Sequence, residues 1–190
     1  MVRSLKCLML AAFAALFLAG CLTPTGDTPE AKRLAIQNMK NDTLTFLYRE
    51  RPSAREVIDK SAGYAVFSNI NALYLVVGGG GGYGVTVDRK AGRDTYMKMA
   101  QVGVGLGLGV QDIRVVFVFH SQRALDNFIQ NGWEFSGQAD AAAKSSEKGG
   151  ALTGEVSIDA ETTLYTLTQT GLMAKVNMAG TKYWRDDGLN

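Results

Sequence analysis

The sequence predicts an α+β fold: N-terminal helices packed on a strongly curled, mostly antiparallel, barrel-like β-sheet with one helical insertion. Three observations predict it. Helix-spaced apolar residues occupy the stretch from Thr28 to about Tyr48, ahead of everything else. Beyond Gly63 the texture changes to short apolar or alternating runs rich in β-formers. The 22 glycines concentrate in that second region, where they mark bends or close backbone approaches. Helices followed by strands with one helix inserted is the α+β order, in one domain.

The elements follow in order. Thr28-Pro29-Glu30 is a helix start, with Thr28 as N-cap, proline at the first helical position and an acid in the first turn. Ala31, Leu34, Ala35, Met39, Thr43 and Leu47 keep near-helical spacing. Arg49-Glu50-Arg51-Pro52 breaks the helix. Ser53-Ala54-Arg55-Glu56 has the spacing of a capping box for a second, shorter helix, which Gly63 can terminate. Tyr64–Phe67, Ala72–Val77 and Val85–Val87 read as strands, and Asp88–Asp94 as a polar turn. Thr95–Val110 and Ile113–Phe119 read as a long hairpin pair. Ser121 caps a third helix carrying Ala124, Leu125, Phe128 and Ile129, and Asn131-Gly132 stops it. Gln138–Ala143 suggests a short helix and Lys144–Gly150 a polar loop. Leu152–Ile158, Thr162–Thr168 and Leu172–Met178 return to strand.

The N-terminus reads as a targeting signal. Arg3 and Lys6 precede an apolar run from Leu8 to Leu18, which is shorter than the roughly 20 residues that span a bilayer but suits a signal sequence. The run ends Leu18-Ala19-Gly20-Cys21, which resembles the lipobox of bacterial lipoproteins. That resemblance implies cleavage after Gly20, lipid on the Cys21 sulfur and an acylated amine. Residues 1–20 are then a cleaved signal, 21–28 a lipidated tether and 29–190 a single domain. The expected location is the bacterial cell envelope. Leu22, rather than aspartate, after the cysteine favours the outer membrane.

Loss of Arg3 and Lys6 with the signal leaves 18 basic and 18 acidic residues, so no net charge recruits nucleic acid. Cys7 lies in the signal and Cys21 carries lipid. The domain therefore has no disulfide and no thiolate metal site. His120 is the only histidine, which leaves metallohydrolase and Ser-His-Asp chemistry without parts. No cofactor is expected. Gly79, Gly81 and Gly84 formally fit a dinucleotide fingerprint, but Val85-Thr86-Val87 continues as strand where a helix must open.

From Val102 to Val110 glycine alternates with aliphatic residues. One strand face is therefore bare at Gly103, Gly105, Gly107 and Gly109. Each glycine costs about 0.5–1 kcal/mol against alanine. The offset is close packing of another element, sharp coiling of the sheet, or a groove for a ligand.

These residues resemble the SYLF domain family. Ala62–Phe67 is similar to its early alanine-glycine strand, and Gly79–Gly84 with Tyr83 to its glycine-tyrosine-glycine segment. Gly103–Gly107 through Val110-Gln111 to Phe119 resembles its central strand pair. Gly171-Leu172-Met173-Ala174 and Gly180 resemble its C-terminal strand. The resemblance spans residues 30–186. It implies a non-enzymatic, lipid-binding module, phosphoinositide-like in its eukaryotic members, some of which bind actin. A bacterial envelope offers neither ligand, so anionic headgroups are the ligand that carries over. The alternative is an envelope protein-interaction or structural module with no lipid specificity.

Candidate headgroup contacts are Lys32, Arg33 and Lys40 on the first helix, and Arg89, Lys90, Arg93 and Lys98 at the polar turn. Arg49, Arg51 and Arg55 form a third basic group. Acids interrupt all three, as on a self-paired surface. Trp133, Phe135, Tyr183 and Trp184 suit either an interfacial belt or core packing.

Overall fold

The computed structural model describes residues 23–135, 155–168, 171–172 and 180–190. The signal, Cys21, and the helix and loop expected between Gln138 and Gly150 lie outside the described residues.

Helix α1 (Pro29–Glu50) begins as its sequence requires: the Thr28 hydroxyl accepts the Ala31 N–H at 3.2 Å. Ile36, Met39, Thr43 and Leu47 form its buried stripe. Helix α2 (Ser53–Lys60) departs from expectation at its start. Pro52, not Ser53, is the N-cap, and no side chain caps the helix. The proline ring already holds φ at −57° with helical ψ, so the turn begins one residue early and Ser53 falls inside it. Nor does Gly63 end α2. Ser61 does, through its N–H and hydroxyl to the Ile58 carbonyl at 3.1 and 2.7 Å.

Gly63 instead opens β1 (Gly63–Asp88), one continuous strand where three were expected. Strand β2 (Arg93–Phe119) is likewise unbroken, so the expected hairpin within 95–119 does not form. Its partner is β1, paired from Asp88↔Arg93 to Gly63↔Phe119. Polar residues at two of the expected breaks are paired in the ladder, Asp112 opposite Ile70 and Gln111 opposite Asn71, so pairing carries both strands through them. One irregularity interrupts the ladder: Leu75 faces Gly107 but Val77 faces Val104. Gly105 and Leu106 thus oppose the single residue Val76, a bulge on the glycine-rich strand.

Helix α3 (Gln122–Asn131) is capped by Ser121 and stopped by Gly132 at φ 68°. Strands β3 (Trp133–Phe135), β4 (Glu155–Asp159), β5 (Thr162–Thr168), β6 (Gly171–Leu172) and β7 (Thr181–Arg185) follow. Among the described residues, seven strands make one antiparallel sheet. Strand β5 adds to the end of β2, and β7 to its beginning.

The sheet curls into a half-barrel because β1 doubles back on itself. A Cβ placed on Gly82 would overlap the Ser68 carbonyl oxygen, one on Gly84 the Val66 carbonyl oxygen, and one on Gly63 the Val87 carbonyl oxygen. The Arg89 N–H donates to the Ala62 carbonyl at 3.2 Å across the same junction. The two halves of one strand thus meet main chain to main chain, an approach that only glycine permits.

Both faces of the central strands are buried. Val66, Val116, Val118, Tyr165 and Leu167 meet Ile36, Leu47 and Ile58 of α1 and α2. Phe67, Phe117 and Phe119 meet Leu125 and Phe128 of α3. Tyr183 on β7 reaches across the curl, 4.7 Å from Phe67 and 5.2 Å from Phe117 between ring centres. Such ring pairs add about 0.5–1.5 kcal/mol beyond area burial.

Gly82→Ala should destabilise the domain by about 2–3 kcal/mol through forced displacement of backbone. At Gly79 the nearest atom would stand 3.5 Å away, so Gly79→Ala should shift stability by less than about 1 kcal/mol. Chemical denaturation of both variants checks this.

Candidate functional site

The chain approaches α1 closely packed. Pro24 is buried, and Gly26, at φ 125°, rests against Ala31.

The C-terminal residues lie at the same place. The Arg33 Nε donates to the Leu189 carbonyl at 2.8 Å. The Asn190 side chain accepts the Tyr96 N–H at 3.0 Å and donates to the Tyr96 carbonyl at 2.8 Å. Buried Asp186 takes the Lys98 ammonium at 2.9 Å and the Gly188 N–H at 3.0 Å. Further along α1, the Gln37 amide donates to Asp94 at 2.7 Å and to the Tyr96 hydroxyl at 3.1 Å. That contact sets α1 beside the β1–β2 turn, which carries Arg89, Lys90 and Arg93.

The sequence-predicted cations divide into two sets. Arg33, Arg89 and Lys98 are structural: Arg33 holds the C-terminus, and Lys98 neutralises Asp186. The Arg89 guanidinium donates to the Ile58 carbonyl at 2.6 Å, closing the C-terminal end of α2. The side chains of Lys32, Lys40, Lys90 and Arg93 have no hydrogen bond or ion pair among the described residues. Lys32 lies about 5 Å along the helix from its start and Lys40 about 16 Å. Only a helix lying along a charged surface would keep both within the roughly 8–10 Å screening length.

In the third basic group, Arg55 stacks on Tyr48 at 4.3 Å and Arg49 on Phe46 at 4.7 Å. His120 pairs its Nε2 with the Thr163 hydroxyl at 2.8 Å. Among the described residues no group of acids, histidines or cysteines is placed to hold a metal. No described helix is long and apolar enough to cross a membrane. The bare-faced positions Gly103, Gly105, Gly107 and Gly109 lie on β2, with Gly103 opposite Gly78 and Gly107 opposite Leu75. Trp133 and Tyr183 join the aromatic core, and Trp184 is partly exposed. Sequence reasoning missed the Gln37 and Arg33 bridges, because each joins residues far apart in the chain.

The described residues thus form an α1/α2 pair on a curled antiparallel half-barrel, with α3 on the opposite face. The family model described as Ysc84, Las17-binding protein actin regulator, matches residues 100–190. The Beta cell expansion factor A of Aeromonas veronii is 34% identical over 164 residues, covering 85% of this chain and 60% of that protein. This chain thus spans about three-fifths of that relative's length. Together these likenesses support a member of the SYLF domain family, whose proteins are binding or regulatory modules.

Tyr48 and Tyr64 flank the α1–turn junction, and burial is the main cause that raises both phenols above their ordinary value. For Tyr48 the Asp59 carboxylate adds to the rise, while Arg55 and Arg89 oppose it. Burial alone pushes Tyr183 far above the ordinary range. An acid whose folded pKa is raised gives up its proton first in the unfolded chain. Stability should therefore be intact below about pH 10 and fall as pH rises beyond it, by up to about 1.4 kcal/mol per pH unit for Tyr183. Urea denaturation at pH 8 and pH 11 measures the drop, which should be shallower in Tyr183→Phe.

Proposed function

We propose that this chain is a bacterial envelope lipoprotein, anchored by acyl chains on Cys21, whose SYLF domain contacts anionic lipid headgroups without catalysis. The observation that carries this reading is the Gln37–Asp94 bond, which joins the uncommitted cations of α1 and of the β1–β2 turn into one surface. Helix α1 begins eight positions after Cys21, a short tether that favours contact of its cations with the anchoring bilayer. Each cation near an anionic bilayer contributes about 1 kcal/mol, so Lys32, Lys40, Lys90 and Arg93 together suit reversible contact of an already anchored domain. Several acyl chains supply the anchoring, at about 0.8 kcal/mol per buried methylene. Leu22 after the cysteine favours the outer membrane. A second reading, contact with an envelope protein at the same surface, is favoured by the description of the matched family as a regulator that binds another protein.

The soluble domain bearing Cys21→Ser should sediment with phosphatidylglycerol-containing vesicles, and less as salt rises. Lys90→Glu with Arg93→Glu should weaken that binding by at least about thirtyfold, from roughly 1 kcal/mol per lost charge contact. No sedimentation at low salt contradicts the headgroup reading, and selective capture of one envelope protein instead supports the second. Mass spectrometry of the protein from its native cell should find residue 21 acylated.

A further inference from the structure

A cleft of about 390 Å³ opens on the far side of the sheet from α1, between α3, β3 and the β4–β5 turn. Its floor is aromatic. Phe128 lies 5.0 Å from Phe119 and 6.0 Å from Trp133 between ring centres. Its rim carries both signs of charge. The Arg123 guanidinium meets the Glu161 carboxylate at 2.6 Å, and Asp159 borders the same opening. One Asp159 oxygen accepts the Glu161 N–H at 2.8 Å, which leaves the other available. The Arg123 side chain is 82% exposed and that of Glu161 33%, so the arginine is free to pivot while the acid is held.

We infer that this cleft binds a small zwitterion, one with an ammonium group and a phosphate or carboxylate a few ångströms away. The Arg123–Glu161 pair is a template for such a ligand. The ligand's anion takes Arg123, and its ammonium takes Glu161 and Asp159 beside the Trp133 ring. One internal ion pair is exchanged for two external ones, so no charge is left unpaired against the aromatic floor. A lone anion would face two carboxylates. A lone cation would face Arg123. The rim therefore selects against both.

The cleft is not isolated from the basic surface. Phe119 lies in register between Gly63 and Thr162, and the Gln122 amide donates to Asp88 at 3.1 Å. Cleft and β1–β2 turn thus share one end of the sheet, where a zwitterionic lipid headgroup and a free zwitterionic solute both have access. The inference goes beyond the anionic-surface reading and stands without it, since a soluble probe reports on it.

The chain has two tryptophans, so Trp184→Phe leaves Trp133 as sole reporter. Its fluorescence should respond saturably to phosphoethanolamine, with affinity at least about tenfold tighter than for ethanolamine or inorganic phosphate. Arg123→Gln and Glu161→Gln should each weaken phosphoethanolamine by about tenfold while leaving the fold intact, because exposed ion pairs contribute little to stability. No saturable response, equal affinity for the singly charged probes, or unchanged affinity in both variants overturns the inference. Given soluble binding, phosphatidylethanolamine vesicles assign the source: a Trp133 response to them that is lost in both variants points to a lipid headgroup, and its absence to a free solute. Sedimentation with phosphatidylglycerol vesicles reads the basic surface separately, so either can fail without the other.

Discussion

The rest of the structure depends on the contact of β1 with itself. A strand of 26 residues would otherwise run well beyond the width of this domain, with long faces open to water. Glycine at positions 63, 82 and 84 removes the side chains that would hold the two halves apart. The hairpin then folds over, and the start of β2 brings β7 with it. Tyr183 is delivered against Phe67 and Phe117, which closes the aromatic core. Close packing, one of the three offsets open for the glycine-faced segment, is the one seen at these neighbouring glycines. On β2 itself the observed feature is the bulge at Gly105.

The same doubling places the surface. Because Val87 returns to Gly63, the turn after β1 ends beside α2 and α1, and Arg89 can bond Ile58 while Asp94 bonds Gln37. Elements separated by some fifty residues in sequence become neighbours. Three of the seven candidate cations, Arg33, Arg89 and Lys98, are consumed in structural bonds, and the side chains of the other four have no partner among the described residues. The division follows from hydrogen-bond need: the last carbonyls of α2, the final residues of the chain and a buried carboxylate each require a donor, and Arg89, Arg33 and Lys98 are within reach.

Local chemistry was legible in the sequence. Thr28 and Ser121 cap as their side chains allow, Gly132 stops α3 with a positive φ, and β5 occupies Thr162–Thr168 as its alternation indicates. The α+β class and the curl were legible as well, from element order and glycine content. Strand continuity was not. Glycine runs read as breaks when the partner strand is unknown, and the face they present matters only once the chain returns to it. The short strands β3 and β7 were missed because three to five residues carry too little periodicity. The cleft was missed because Phe119, Arg123, Trp133 and Glu161 converge through register and packing, which spacing does not encode.

The account is tested most directly by the distance between the two halves of β1. In nuclear Overhauser spectra of the soluble domain, Gly82 α-protons should show strong cross-peaks to Ser68 and Asn69 main-chain protons, and Gly84 α-protons to Val66 and the Phe67 ring. An extended β1, with cross-peaks from Gly82 only to its ladder partner Met99 and to sequence neighbours, would contradict it. The convergence of α1 with the β1–β2 turn would then lose its cause.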